Sequence, residues 1–440
     1  MRLTRACTAA ITATLVAATL AACSSSSKKS DGGSGSTDKP TLTYWASNQG
    51  TSLENDKQIL QPQLDEFKKQ TGITVNVEVV PWSDLLNRIL AATTSGKGPD
   101  VLNIGNTWSA SLQATDAFTQ FDDATMAKIG GKDRFLTGSL SATGAEGKAP
   151  TAVPLYSLAY GLYYNKKQFA AAGITTPPAT WEEMVADGKK LTTNGHWGLS
   201  IEGGSVSENI HAAFTLSQQE GGSFFDASGK ATFNTPQNVA GIKRYIDLMQ
   251  TDKITNPSDA EYSKGTEALE DYAAGKTSMV IWQASAGSLK KLGMNAADIG
   301  VVPVPTPEPM PSGGKKVTSI VAGINLAVFK GSKHQDADLQ FVKFMTSTPE
   351  QQALNKTYGS LPTVSDAYSD PAFKTEAVST FKSILSDTAA PMPAVAQESQ
   401  FETLIGTAMN GLFANAATGK TVSESDIGKA LDAAQQQLTP

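Results

Sequence analysis

Residues 41–104 read TLTYWASNQGTSLENDKQILQPQLDEFKKQTGITVNVEVVPWSDLLNRILAATTSGKGPDVLNI, and this stretch decides the fold class. Leu42-Thr43-Tyr44-Trp45 is a short β-prone run. Leu53, Leu60, Leu64 and Phe67 recur near helical spacing, so a helix is expected to about Gln70, stopped by Gly72. Ile73, Val75, Val77 and Val79 alternate strictly, the mark of a half-buried strand. Ser83 is placed to cap a second helix with Leu85, Leu86, Ile89 and Leu90 on one face, ended by Gly96, Gly98 and Pro99. Asp100 to Ile104 is a third strand. Strand–helix–strand–helix–strand implies a parallel sheet with right-handed crossovers, hence an α/β protein.

Outward toward the C-terminus the alternation continues. Val153 to Asn165 is β-prone and largely apolar. Thr180 and Glu183 have capping-box spacing. Thr235-Pro236 starts a helix with Val239, Ile242, Ile246 and Met249 inward. Met279 to Trp282, Ile299 to Val304 and Ile324 to Phe329 read as strands, with a Pro- and Gly-rich connection over 303–314. Phe341, Val342 and Met345 mark a helix, Thr348-Pro349 caps the next, and the last ninety residues look mostly helical.

Toward the N-terminus the chain changes character. Arg2 and Arg5 precede an uncharged stretch from Ala6 to Ala22, shorter than a comfortable bilayer span of ~20 apolar residues. A basic start, a short apolar run and small residues before a break predict a signal peptide over 1–22. Leu20-Ala21-Ala22-Cys23 resembles the lipobox of bacterial lipoproteins, which implies lipidation at Cys23. A plain signal peptide with a chance cysteine is the alternative. The following SSSSKKSDGGSGSTDKP is a flexible tether through residue 40. Lipid anchoring and export to the outer face of the cell membrane follow as expectations.

Composition closes several functional routes. Cys7 and Cys23 are the only cysteines among 440 residues, so the body carries no disulfide, Cys-based metal site or Cys nucleophile. Three histidines leave little for a metal centre, and no H-E-x-x-H or G-x-S-x-G occurs. Gly275-Lys276-Thr277 and Gly419-Lys420-Thr421 match only the end of a P-loop, since Glu270 and Ala414 stand where its first Gly belongs. A net charge of −6 argues against nucleic acid as partner. The open catalytic route is a carboxylate pair, as a glycosidase requires. Glu182-Glu183 fits a helix's first turn better, where the macrodipole favours acids.

Several pieces together resemble the family 1 extracellular solute-binding proteins, the maltose-binding-protein-like sugar-binding components of ABC importers. They are Phe67 to Val75 (FKKQTGITV), Gly98-Pro99-Asp100, Gly161 to Lys166 (GLYYNK), Pro178 to Glu183 (PATWEE), Ala322 to Ala327 (AGINLA) and Gly359-Ser360-Leu361-Pro362. Their order spans nearly the whole chain after the tether. The resemblance implies a type II-like periplasmic-binding-protein fold: two discontinuous α/β lobes, a hinge and an inter-lobe cleft. Lobe 1 is expected over 41–152 plus 306–346, and lobe 2 over 153–305 plus 347–440. It also implies a carbohydrate ligand, ABC permease subunits as partners, no cofactor, no catalysis and a monomer.

A sugar offers hydroxyl edges and apolar C–H faces, so its site needs hydrogen-bonding groups and aromatic platforms. The family contacts sugar with the loop after the first strand, which carries over to Ser47, Asn48 and Gln49. The loop after the third strand supplies Asn106 and Thr107, with Trp108 as a platform or a cap on the core. Tyr156 falls at the expected hinge, where hinge packing is the alternative. Trp282 comes earlier than the family's stacking tryptophan, with Gln283 beside it. Glu202, Gly323 and Phe401 are weaker candidates, each with plain packing or turn geometry as the other reading. Rival functions are capture of a non-sugar solute, such as a polyol phosphate or peptide, and glycoside chemistry.

Overall fold

The computed structural model describes residues 39–145, 147–193 and 195–439. The expected signal peptide over 1–22, Cys23 and nearly all of the expected tether lie outside the described residues. The opening stretch folds as its periodicity requires. β1 (Thr41–Ser47) leads into a helix over Leu53–Thr71, with Ser52 as N-cap and Gly72 closing it in the left-handed conformation at φ 74. β2 (Thr74–Val80) and β3 (Val101–Gly105) then pair parallel to β1 on either side. The helix Trp82–Ser95 starts two residues earlier than expected, with Pro81 in place of Ser83 at its N-cap, and Ser83 caps nothing; its hydroxyl donates to Asp84 instead. That helix buries Leu85, Ile89 and Ala92.

The β-prone run 153–165 is two strands. β4 (Val153–Leu158) pairs antiparallel with a returning strand of the first sheet, and β5 (Tyr160–Asn165) belongs to a second sheet. Ala159 is the crossing point. The expected start of lobe 2 at 153 falls on β4, a strand of the first sheet. β4 is buried along its whole length because it has strands on both sides, so it cannot be a connector. The second sheet gains β6 (Trp197–Ser200), β7 (Thr277–Gln283) and β8 (Ile299–Val302). β9 (Ser319–Ile320) lies outside both large sheets. β10 (Ala322–Val328) re-enters the first sheet between β3 and β4. Thr348–Tyr358 is a helix whose N-cap is Ser347, not Thr348, and β11 (Leu361–Pro362) pairs with β4. The chain after 347 therefore returns to the first sheet through β11. β12 (Ala389–Ala390) pairs with β9.

The result is a six-stranded sheet, order β11-β4-β10-β3-β1-β2, and a four-stranded sheet, order β6-β7-β5-β8. The helix Glu398–Ala417 packs on the helix Val206–Gln219 beside the second sheet. The core is continuous from Tyr44 and Phe67, which meet Phe341 edge-on at ring distances of 5.2 Å, to Phe401 and its aromatic neighbours.

The Thr180 capping box forms. Thr180 Oγ1 accepts from the Glu183 N–H at 3.1 Å, and Glu183 Oε2 accepts from the N–H of Thr180 at 3.2 Å and of Ala179 at 2.8 Å. Glu183 is consequently held below the usual carboxylate range by these backbone donors, which is structural work and not catalysis. Thr180→Ala should cost about 1 kcal/mol in denaturant unfolding, while Thr180→Ser should be nearly neutral. Equal losses in both variants would remove the cap from the account.

Candidate ligand-binding cleft

Loops at the carboxyl ends of β1, β3, β6 and β7 face one another across a cavity of about 360 Å³. Open α/β sheets place ligands at this edge, because the strand ends leave the crevice that the helices do not fill. One wall is Asn48 to Thr51, Trp82 to Asn87 in part, and Gly105 to Trp108. The other is Gly204 to Glu208, His211, Ser263 to Thr266, Glu270 and Trp282 to Ser285. Leu158, Gly323, Tyr358, Glu402 and Thr403 close the floor.

The wall built on the first sheet is held from behind by Asp56, buried on the first helix. Its carboxylate accepts from Asn48 Nδ2 and from the N–H of Gln49 at 3.1 Å and Gly50 at 2.8 Å. Trp82 Nε1 donates to the Asn48 carbonyl at 2.7 Å, and its ring meets Trp108 edge-on at 5.5 Å. Asn106 Nδ2 donates to the Val321 carbonyl at 2.8 Å, leaving its amide oxygen for another partner.

The opposite wall centres on Tyr160. Its hydroxyl donates to Glu208 Oε2 at 2.9 Å, accepts from Gln283 Nε2 at 2.8 Å and lies 2.8 Å from His211 Nδ1. Burial pushes Glu208 above the usual carboxylate range, against the pull of His211, Tyr160 and Gln283. Trp108 Nε1 crosses the floor to donate to Glu402 Oε2 at 2.7 Å, tying the β3 loop to the helix Glu398–Ala417.

Of the sequence candidates, Asn48, Gln49, Asn106, Thr107, Trp108, Trp282, Gln283 and Gly323 line this cavity. Four do not. Ser47 is buried and accepts from Asn103 Nδ2 at 3.0 Å, pointing into the first sheet. Tyr156 stacks edge-on with Tyr358 at 5.4 Å and lines a separate cavity behind β4 and β10. Glu202 is buried and accepts from the Ala268 N–H at 2.9 Å, pinning the start of the helix Glu267–Ala273. Phe401 is 0% exposed among Phe224, Phe225 and Phe233. Its helix turns the neighbouring Glu402, not Phe401, into the cavity. Gly323 is required by close approach, since a Cβ there would sit 2.7 Å from the Tyr156 carbonyl oxygen.

Sequence reasoning missed Asp56, Trp82, Glu208, His211 and Glu402. A signal existed for the last: Glu398 and Glu402 are the only charges in an otherwise uncharged, twenty-residue helix. Asp56 and His211 had none, since each sits at a helical position that an exposed polar residue would equally occupy.

Two sheets joined by crossing strands, with an inter-sheet cavity lined from both sides, define a two-lobed solute-binding protein. The sequence matches the bacterial extracellular solute-binding protein family over residues 50–352, so the chain belongs to that family. It is a solute-binding protein of ABC transporters. Among similar proteins is the diacetylchitobiose binding protein DasA of Streptomyces coelicolor, 26% identical over 331 residues, covering 73% of each chain. The GacH receptor of Streptomyces glaucescens GLA.O, solved unliganded and with acarbose, superimposes with a TM-score of 0.76 at 25% identity, covering 91% of this chain and 98% of that one. Maltose-bound MalE3 of T. maritima gives a TM-score of 0.78 at 23% identity, covering 91% and 100%, a likeness of fold. No helix among the described residues is long and apolar enough to cross a membrane.

Proposed function

We propose that the chain captures a carbohydrate, an oligosaccharide, in the inter-lobe cavity and delivers it to the permease subunits of an ABC importer, with no catalytic step of its own. The observation that carries this is the lining: Trp82, Trp108 and Trp282 beside amides, hydroxyls and carboxylates, on walls contributed by both sheets. Aromatic faces match sugar C–H faces, and mixed acceptors and donors match hydroxyl edges. The cavity volume lies within the range of small-molecule sites. The relatives whose names state diacetylchitobiose, acarbose and maltose as ligands support the same class.

In this reading lobe 1 is built on the six-stranded sheet and lobe 2 on the four-stranded sheet, with hinges where the chain crosses, first at Ala159. Ligand touching both walls stabilises the closed arrangement by its differential affinity for it. Residues 1–22 direct export, Cys23 carries the lipid, and residues 24–40 tether a monomeric body at the outer face of the cell membrane.

The test is thermal unfolding of residues 39–440 with maltose, maltotriose, diacetylchitobiose, acarbose, a phosphorylated polyol and a short peptide. A sugar at about 100 times its Kd should add ~2.7 kcal/mol, a shift of about 3 °C for a chain of this size. A shift from the phosphorylated polyol or the peptide, with none from any sugar, would overturn the ligand class.

A further inference from the structure

The helix Glu398–Ala417 buries two acids one turn apart, Glu398 at 0% and Glu402 at 4% exposure. Glu402 lines the cavity floor. Its Oε2 accepts from Trp108 Nε1 at 2.7 Å, and its Oε1 faces His211 Nε2 at 3.9 Å. Glu398 lies behind it, and no N–H or hydroxyl donor reaches either of its oxygens. The group within hydrogen-bonding reach of Glu398 is Glu402 itself. Two buried carboxylates in contact cannot both ionise; one proton must lie between them. Glu402 has donors to stabilise an anion and Glu398 has none, which decides where the proton sits.

We propose that Glu398 is a positioning residue for ligand binding: a neutral carboxylic acid whose O–H donates to Glu402, holding Glu402 ionised and aimed as an acceptor for a ligand hydroxyl at the cavity floor. The proposal rests on the carbohydrate reading above for the ligand, but not for the proton. Burial, then the charge of Glu402, pushes Glu398 well above the usual carboxylate range. Burial also pushes Glu402 upward, but His211, Glu398 and Thr107 outweigh it and leave it below that range.

The charged groups around the pair are few. The helix Val206–Gln219 presents Glu208 and His211, and the segment 106–108 and helix Ser109–Ala114 present none. On the helix Pro236–Gln250, Tyr245 meets Phe413, toward the far end of the helix Glu398–Ala417. Asp259 accepts through its carbonyl from the Gly203 N–H, against that same far end. The charges of the helix Glu424–Gln437 are exposed.

The test compares wild type, Glu398→Gln and Glu398→Leu. Gln keeps an N–H donor toward Glu402 and nearly the same shape; Leu keeps volume but no donor. Infrared difference spectra at neutral pH, without ligand, should show that Glu398→Gln removes a protonated-carboxyl C=O band and leaves the ionised-carboxylate bands unchanged. Loss of an ionised-carboxylate band instead would overturn the proposal. In the binding arm, maltotriose and diacetylchitobiose are titrated by tryptophan fluorescence. Glu398→Leu should weaken the sugar that binds by about tenfold or more, the worth of a hydrogen bond to a charged group. Glu398→Gln should stay within about threefold and lose the alkaline fall in affinity that wild type shows as Glu398 gives up its proton. Equal affinities in wild type and Glu398→Leu would also overturn it. If wild type binds neither these two sugars nor any other sugar of the thermal panel, the ligand class fails, and the infrared result still decides the proton.

Discussion

Phe401→Ala is expected to lower unfolding free energy by about 3–5 kcal/mol and to leave the affinity of the folded protein for its ligand unchanged. The ring is fully buried, with centroids 5.1 Å from Phe224, 5.3 Å from Phe225 and 5.5 Å from Phe233. Truncation removes the transfer free energy of the ring and leaves a cavity that three aromatic neighbours cannot close without leaving their rotamers. The edge-on and tilted contacts add about 0.5–1.5 kcal/mol per pair beyond area. Urea denaturation should show a lower midpoint at unchanged slope, the signature of lost stability without a change in the exposed surface. A ligand-affinity loss at full stability would instead place Phe401 at the cavity, against the packing described.

The second large effect is on pH. Burial pushes Glu202 up to about 8, against the Ala268 N–H and with help from the charges of Glu208 and Glu267. Burial likewise pushes Asp259 up to about 7, against the Ile201 N–H and with help from Asp271. Both folded values exceed the ordinary values of the unfolded chain. The folded state therefore binds these protons more tightly, and the stabilising contribution is complete below about pH 4. It declines as pH rises and is lost through about 7 for Asp259 and about 8 for Glu202. Each pH unit between the unfolded and folded values is worth about 1.4 kcal/mol per group, so the pair removes several kcal/mol between about pH 5 and about pH 9. Chemical denaturation at those two pH values should show stability falling toward alkaline pH. A Glu202→Gln, Asp259→Asn double variant keeps acceptors for Ala268 and Ile201 and should flatten the slope. A slope of the same size in the double variant would contradict the assignment.

The first parallel sheet was legible in sequence because its signals are local. Val75, Val77 and Val79 alternate, and Gly72 ends a helix in the left-handed conformation. The boundary at Ala159 was not legible. Val153 to Asn165 is one apolar run, and only pairing with β10 and β11 on one side of Ala159, and with β7 and β8 on the other, divides it. The site followed the same rule. Asn48, Gln49, Asn106 and Trp108 lie just past the ends of β1 and β3, and Gln283 ends β7, so strand assignment together with the family resemblance placed them. Glu208, His211 and Glu402 arrive from helices packed across the chain, and Tyr160 joins two of them through contacts no spacing encodes. Phe401 and Glu402 are adjacent, yet one completes the core and the other reaches the cavity. That choice depends on the rotation of one helix, which the sequence around residue 401 does not specify.

The central claim is that a carbohydrate is held between the two walls of the inter-sheet cavity. It is tested most directly by the crystal structure of the chain grown with the sugar that gives the largest thermal shift. The account predicts sugar density beside Trp108 and Trp282, hydrogen-bonded at once to the Asn48–Asn106 wall and to the Glu208–Gln283 wall. Sugar bound outside that cavity, or contacting one wall alone with the cavity filled by another solute, would contradict it.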